Sequence, residues 1–172
     1  TTWVFNLRKG VKFQDGSDFT ADDVVFSIKR NQGPTSNFRV YGNAVGEPKK
    51  IDAHTVEFTT PVPNPTMLEM LTDSLFIMNK AWCEKNNAVK SQDFKNKEES
   101  FAGLNANGTG PYMLVSRAPG VKTVYKRHPA WWGKVEGNVQ EVVYTPIGND
   151  ATRLAALVSG EIDFVLDPAP RD

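Results

Sequence analysis

The stretch "WVFNLRKGVKFQDGSDFTADDVVFSIKR", residues 3–30, holds the change of period that decides the fold. Trp3, Phe5 and Leu7 alternate with Val4, Asn6 and Arg8, the two-residue repeat of a half-buried strand. Val11-Lys12-Phe13 continues extended, and Asp15-Gly16 is turn chemistry. Thr20 then reads as an N-cap, with Asp23 at the capping-box spacing. Ala21, Val24, Val25 and Ile28 follow at helical spacing on one apolar face, and Lys29 and Arg30 sit where the helix dipole favours cations. Strand, turn and amphipathic helix in direct succession predict a mixed α/β chain.

The same stretch raises a chemical question, because Asp15, Asp18, Asp22 and Asp23 crowd together. Their spacing does not fit a calcium loop, which needs alternating acids, a glycine and a distal Glu. Asp15 suits the turn, and Asp22 and Asp23 suit a helix's first turn. The acids are therefore read as structural, with a hydrolase using Asp22 or Asp23 as the alternative from another class.

Working outward, residues 31–47 are rich in Gly, Asn, Ser and Pro and read as a long loop, which carries Phe38, Arg39 and Tyr41. "PKKI", a turn at "DAHT" and "TVEFTT" predict a hairpin. Asn64-Pro65 opens a short helix over "TMLEML", with Pro at its first position. "SLFIM" (74–78) is a short apolar strand or extended run, and "KAWCEKNN" a further helix. Residues 90–100 are polar and expected at the surface. "NGTGPYMLVSR" and "VKTVYKR" flank Ala118-Pro119-Gly120, the makings of a type II turn in a hairpin. "VQEVVYTPI" (139–147), a helix capped at Asn149 or Asp150 and stopped at Gly160, and "IDFVL" (162–166) predict a βαβ unit with parallel strands.

Composition narrows the function. The 172 residues are 40% hydrophobic and 23% charged, as in an ordinary globular chain. Basic and acidic residues balance at 20 each, whereas nucleic-acid binding draws on a basic excess, so no nucleic-acid partner is expected. No apolar run approaches the ~20 residues that span a bilayer. The only cysteine, Cys83, rules out an internal disulfide and reads as a packing residue. His54 and His128 lie in turns without ligand spacing and are expected to be exposed; no metal or cofactor is expected. "GTG" at 108–110 leads into a strand, not the helix a phosphate loop requires. Trp131-Trp132 are expected to pack under the hairpin rather than stack on a sugar. No catalytic set emerges. The chain opens on Thr1 already in a strand pattern, without initiator Met or signal peptide, and is expected to be a piece of something longer.

Four ordered strings add a resemblance that covers most of the chain. "WVFNLRKGVKFQDGSDFTADDVVFSIKR", "NGTGPYMLV", "YKRHPAWWGK" and "DATRLAALVSGEIDFV" together resemble the peptide/nickel-type extracytoplasmic solute-binding proteins of ABC transporters. The resemblance implies a piece of a two-lobed periplasmic-binding-protein fold, with an antiparallel or mixed sheet, flanking helices and the C-terminal βαβ unit. It implies that residues 1–105 are the extra subdomain of the first lobe and 106–172 part of that lobe, with the second lobe absent. It implies a non-enzymatic function: capture of a peptide or peptide-like small molecule outside the cytoplasm for a membrane permease. A sensory role of the same fold is the alternative.

For site residues it implies that Phe38, Arg39 and Tyr41 face the ligand cleft, as an arginine and an aromatic do in nickel-type members, though at different spacing. A second cleft arginine of those members aligns with Leu75, which argues against the same anionic metal chelate. Peptide-binding members carry a tyrosine where this chain has Leu166, followed by Asp167. Apolar surface meant for the missing parts is expected to drive self-association.

Overall fold

A computed structural model describes residues 1–169; the last three residues of the 106–172 stretch lie outside the described residues. In chain order the elements are β1 (Thr2–Asn6), α1 (Ala21–Gln32), α2 (Arg39–Ala44), β2 (Glu47–Asp52), β3 (Thr55–Thr59), α3 (Met67–Asp73), α4 (Lys80–Lys85), α5 (Phe101–Leu104), β4 (Tyr112–Ala118), β5 (Lys122–Arg127), β6 (Glu141–Tyr144) and α6 (Asp150–Ser159). They form two separate three-stranded antiparallel sheets, ordered β1-β3-β2 and β4-β5-β6.

The first sheet has β3 at its centre, and Val56 and Phe58 are buried there because both neighbours and a helix cover them. Trp3 and Phe5 from β1, and Leu7 just after it, lean onto the same core, while Val4 faces solvent, as the alternation predicts. Helix α1 adds Ala21, Val24 and Ile28 from one face, and Met67 and Leu75 close the cluster. The Asp52–Thr55 turn forms as expected: the Asp52 carboxylate accepts from His54 N (2.7 Å) and Thr55 Oγ1 (3.0 Å).

The 31–47 segment differs from its reading as loop. Helix α2 forms there because Gly42 lets two backbones meet: a Cβ on it would lie 3.1 Å from Asn31 C and Gln32 N. The Gln32 side chain then donates to the carbonyls of Gly42 and Gly46, each at 3.0 Å. Gly46, at φ +80°, turns the chain into β2 where any Cβ would strike the Thr59 carbonyl oxygen at 2.0 Å. Helix α3 starts at Met67, not at Pro65, because Asn64 Oδ1 accepts from Thr66 N (3.2 Å) and Oγ1 (3.0 Å) and bends the chain first.

The β4–β5 hairpin turns where expected: Val121 N donates to Ala118 O at 3.0 Å, with Gly120 at φ +74°. The βαβ unit is only half present. Helix α6 is capped by Asn149, whose side chain accepts from Thr152 N (2.9 Å), and ends on Gly160. Residues 162–166 form no strand, and β6 pairs only with β5, antiparallel. A β pattern becomes a strand only against a neighbour's open edge. Here the chain is instead drawn back along α6, where Arg153 Nη2 donates to Asp167 O at 2.9 Å.

Candidate functional site

Each of the four aspartates has a structural task. Asp18 pairs with Lys12 and Asp22 with Lys50, both at the surface. Asp23 is 4% exposed. Its Oδ2 accepts from Thr20 N (2.9 Å) and Thr20 Oγ1 (3.2 Å), and its Oδ1 accepts from Lys80 N (2.8 Å). It therefore caps α1 and holds the start of α4 with one carboxylate. Asp15 accepts from Ser17 N and Oγ at 2.9 and 2.6 Å.

The Asp15 turn also clasps the loop before β4. Asn107 Nδ2 donates to Asp15 Oδ2 (2.8 Å), and Asp15 N donates back to Asn107 Oδ1 (3.1 Å). Beside it, Gln14 N donates to Gly108 O (2.9 Å) and Gln14 Nε2 to Tyr112 O (2.7 Å). Burial works to raise the Asp15 carboxyl, but the Ser17 hydroxyl and amide and the Asn107 side chain together hold it below its ordinary value. The strings "FQDG" and "NGTG" thus meet as the two halves of one hydrogen-bonded joint.

The loop aromatics stand on a braced support. Phe38 and Tyr41 are 43% and 41% exposed, with ring centroids 6.3 Å apart, and Arg39 between them is exposed. Ser36 receives Phe38 N on its hydroxyl at 3.1 Å and Arg39 N on its carbonyl at 3.3 Å. The end of α1 is stapled to the following chain: Arg30 Nε donates to Ala88 O (3.0 Å), Arg30 Nη2 to Lys90 O (3.1 Å), and Thr35 Oγ1 to Ser91 O (2.7 Å). Arg39 and Tyr41 thus sit on one short helix, with Phe38 at its N-cap.

The other expected site residues lie elsewhere. Leu75 is 1% exposed and belongs to the core. Leu166 is 69% exposed, and Asp167 follows α6 with its carbonyl held by Arg153. Arg153, which the sequence reading passed over, also donates to Ile147 O (2.9 Å) and Asp150 Oδ1 (2.7 Å), so one guanidinium fixes both ends of this segment. Its signal was its place one turn after the N-cap.

His128 corrects its reading as exposed. It is 9% exposed, and its Nδ1 has no hydrogen-bond partner. The chain after it folds back, and both Trp131 Nε1 and Trp132 Nε1 donate to Thr109 O at 2.8 Å. Trp131 is half-buried and Trp132 is 37% exposed, with Arg8 5.2 Å from the Trp132 ring centroid. Cys83 is fully buried; burial pushes its thiol up, against the pull of Arg30, as for a packing cysteine. Among the described residues, no group of three or more His, Cys, Asp or Glu is placed to hold a metal ion. No helix among them is long and apolar enough to cross a membrane.

This combination of an aromatic loop on a small sheet-and-helix unit clasped to a second sheet has close counterparts. The whole chain, residues 1–172, matches the middle region of the bacterial extracellular solute-binding proteins, family 5, and belongs to that family. It is 30% identical over 188 residues to the periplasmic oligopeptide-binding protein OppA of Escherichia coli K12, covering 98% of this chain and 33% of the relative. It is 33% identical over 180 residues to the probable D,D-dipeptide-binding periplasmic protein DdpA of the same organism, covering 99% and 31%. Among solved structures, NikZ from Campylobacter jejuni in complex with Ni(L-His) superposes with a TM-score of 0.77 at 25% identity, covering 94% of this chain and 31% of that one. The dipeptide-binding protein of Pseudoalteromonas sp. SM9913, in complex with Met-Leu, shares the fold with a TM-score of 0.77 at 23% identity, over 99% and 36%. The chain spans about a third of the length of the curated relatives it matches.

Proposed function

We propose that the protein carrying this chain is the solute-binding component of an ABC importer. It captures peptides or peptide-like molecules outside the cytoplasm and delivers them to a membrane permease. The observation that carries this reading is the family match over every residue of the chain, together with relatives named as peptide-binding and periplasmic. In this reading residues 1–105 are the extra subdomain and 106–172 part of the first lobe, and binding closes a second lobe over the ligand by a hinge motion. The work is recognition, not catalysis. Phe38, Arg39 and Tyr41 supply an exposed cation between two rings, and Leu166 and Asp167 stand near the C-terminal end of the unit. Leu75, buried in the core, has no direct part.

The test is made on the full-length protein. Mass spectrometry of what co-purifies should identify a peptide or peptide-like molecule, and calorimetry should show that it binds. The double variant Arg39→Ala/Tyr41→Ala should weaken that binding about tenfold, the effect of losing an interfacial anchor. A full-length protein that binds no small molecule overturns the reading. The exposed apolar residues of β6 and α6 further support self-association of this chain when it stands alone.

A further inference from the structure

Phe38 also lines a groove of about 470 Å³. Its walls come from four places far apart in sequence: the end of α1 with residues 36–38, Met78, the 91–104 segment, and the β4–β5 hairpin. Arg39 and Tyr41 take no part in it. Phe38 and Phe94 contribute rings that are both substantially exposed. Arg117 lines it from the hairpin and Glu99 from the 91–104 segment. The ion pairs among the described residues engage neither of these two charges, although five other lysine or arginine side chains are so paired. The groove is thus amphipathic, with one uncommitted cation, one uncommitted carboxylate and two aromatic rings.

We propose that this groove is a second ligand site, for a dipeptide-sized zwitterion with an apolar side chain. Its carboxylate is received by Arg117, its ammonium by Glu99, and its side chain by Phe38 and Phe94. A guanidinium matches a carboxylate in a forked pair, and a carboxylate receives an ammonium. Small-molecule sites are concave, about 300–1,000 Å³, and largely apolar with a few placed polar groups. Exposed ion pairs hold little by themselves, so the rings must carry much of the affinity. The lining residues all belong to this chain; Phe38 is shared with the cleft proposed above, whereas Arg39 and Tyr41 are not among them.

The test is a nuclear magnetic resonance titration of the isotope-labelled 172-residue chain with L-leucyl-L-phenylalanine. Saturable shifts should cluster in residues 36–38, 91–104 and 117–119. Arg117→Gln and Phe94→Ala should each weaken binding about tenfold. Both side chains are at the surface, so a folded variant is expected, and retained backbone shifts check it. The C-terminal amide of the dipeptide should bind more weakly than the acid to the unaltered chain and equally to Arg117→Gln. N-acetylation should likewise cease to matter in Glu99→Gln. No saturable shift at about 10 mM dipeptide, or shifts centred on Arg39, Tyr41 and Leu166, overturns the groove. The second outcome leaves the cleft reading standing, and failure of the full-length protein to bind overturns only that reading.

Discussion

Residues 1–105 and 106–169 place their apolar side chains differently. The first region closes a core: Phe58, Val56, Ile28, Met67 and Leu75 are all but inaccessible, and half-buried Trp3, Phe5 and Leu71 pack around them. The second has a sheet of the same size, yet Val115, Val142, Val143 and Tyr144 stand exposed, and α6 buries only Ala156. A sheet face gains its free energy only when another layer covers it. In the first region α1 is that layer. In the second, no helix covers the sheet in this way: α6 makes no extensive contact with any strand, and the apolar pattern remains on the surface.

The largest expected consequence concerns the core. Phe58→Ala should cost about 3–5 kcal/mol, whereas Val143→Ala on β6 should cost less than about 0.5 kcal/mol. Urea denaturation followed by resolved resonances from each region measures both, and equal losses would end the comparison. Next comes Asp23. Asp23→Ala takes the acceptor from the Lys80 and Thr20 amides, both in part-buried hydrogen bonds, about 2–3 kcal/mol; Asp22→Ala removes only an exposed ion pair, below about 1 kcal/mol. Similar costs for the two would show that burial does not separate them.

The joint between the regions is the third test. Asn107→Ala should cost about 1–2 kcal/mol and let the Asp15 carboxyl rise toward its ordinary value of 3.8. The sign follows from linkage: a carboxyl lowered in the fold stabilises it above its unfolded value and loses that effect as pH falls through the folded one. Acid should therefore loosen the joint below about pH 4, and carboxyl carbon shifts of Asp15 against pH read it directly. An Asp15 titration unchanged by Asn107→Ala would remove the clasp from the account. The smallest effect is association through the uncovered sheet. Sedimentation should show the chain growing in mass with concentration, and Val143→Lys with Val158→Lys should reduce that growth; a strict monomer throughout contradicts it.

Much of the first region was legible because short-range rules agree there with burial. The alternation at Trp3, Phe5 and Leu7, the Thr20–Asp23 cap and the Asp52–Thr55 turn all depend on neighbours within a few residues, as does the Pro119-Gly120 turn of the second region. Helix α2 was not legible, because it rests on Gly42 meeting Asn31, a contact between separate elements. The burial of His128 was hidden for the same reason: the fold-back of Trp131 and Trp132 onto Thr109 decides it. The candidate site was legible as a cluster at Phe38, Arg39 and Tyr41, but not as two faces, since the groove is walled by residues 91–104 and 117–119 from far along the chain.

The stretch 3–30 by itself determined strand, turn and capped helix, and its aspartates were marked as structural by spacing alone, since turns and caps are satisfied locally. What the tertiary structure decided was what those aspartates hold. Asp23 reaches α4 and Asp15 reaches Asn107 across distances in sequence that no local rule spans. The segment 162–166 is the converse case: its pattern is that of a strand, and it forms none, because ladder hydrogen bonds need a partner edge and the described chain sets none beside it.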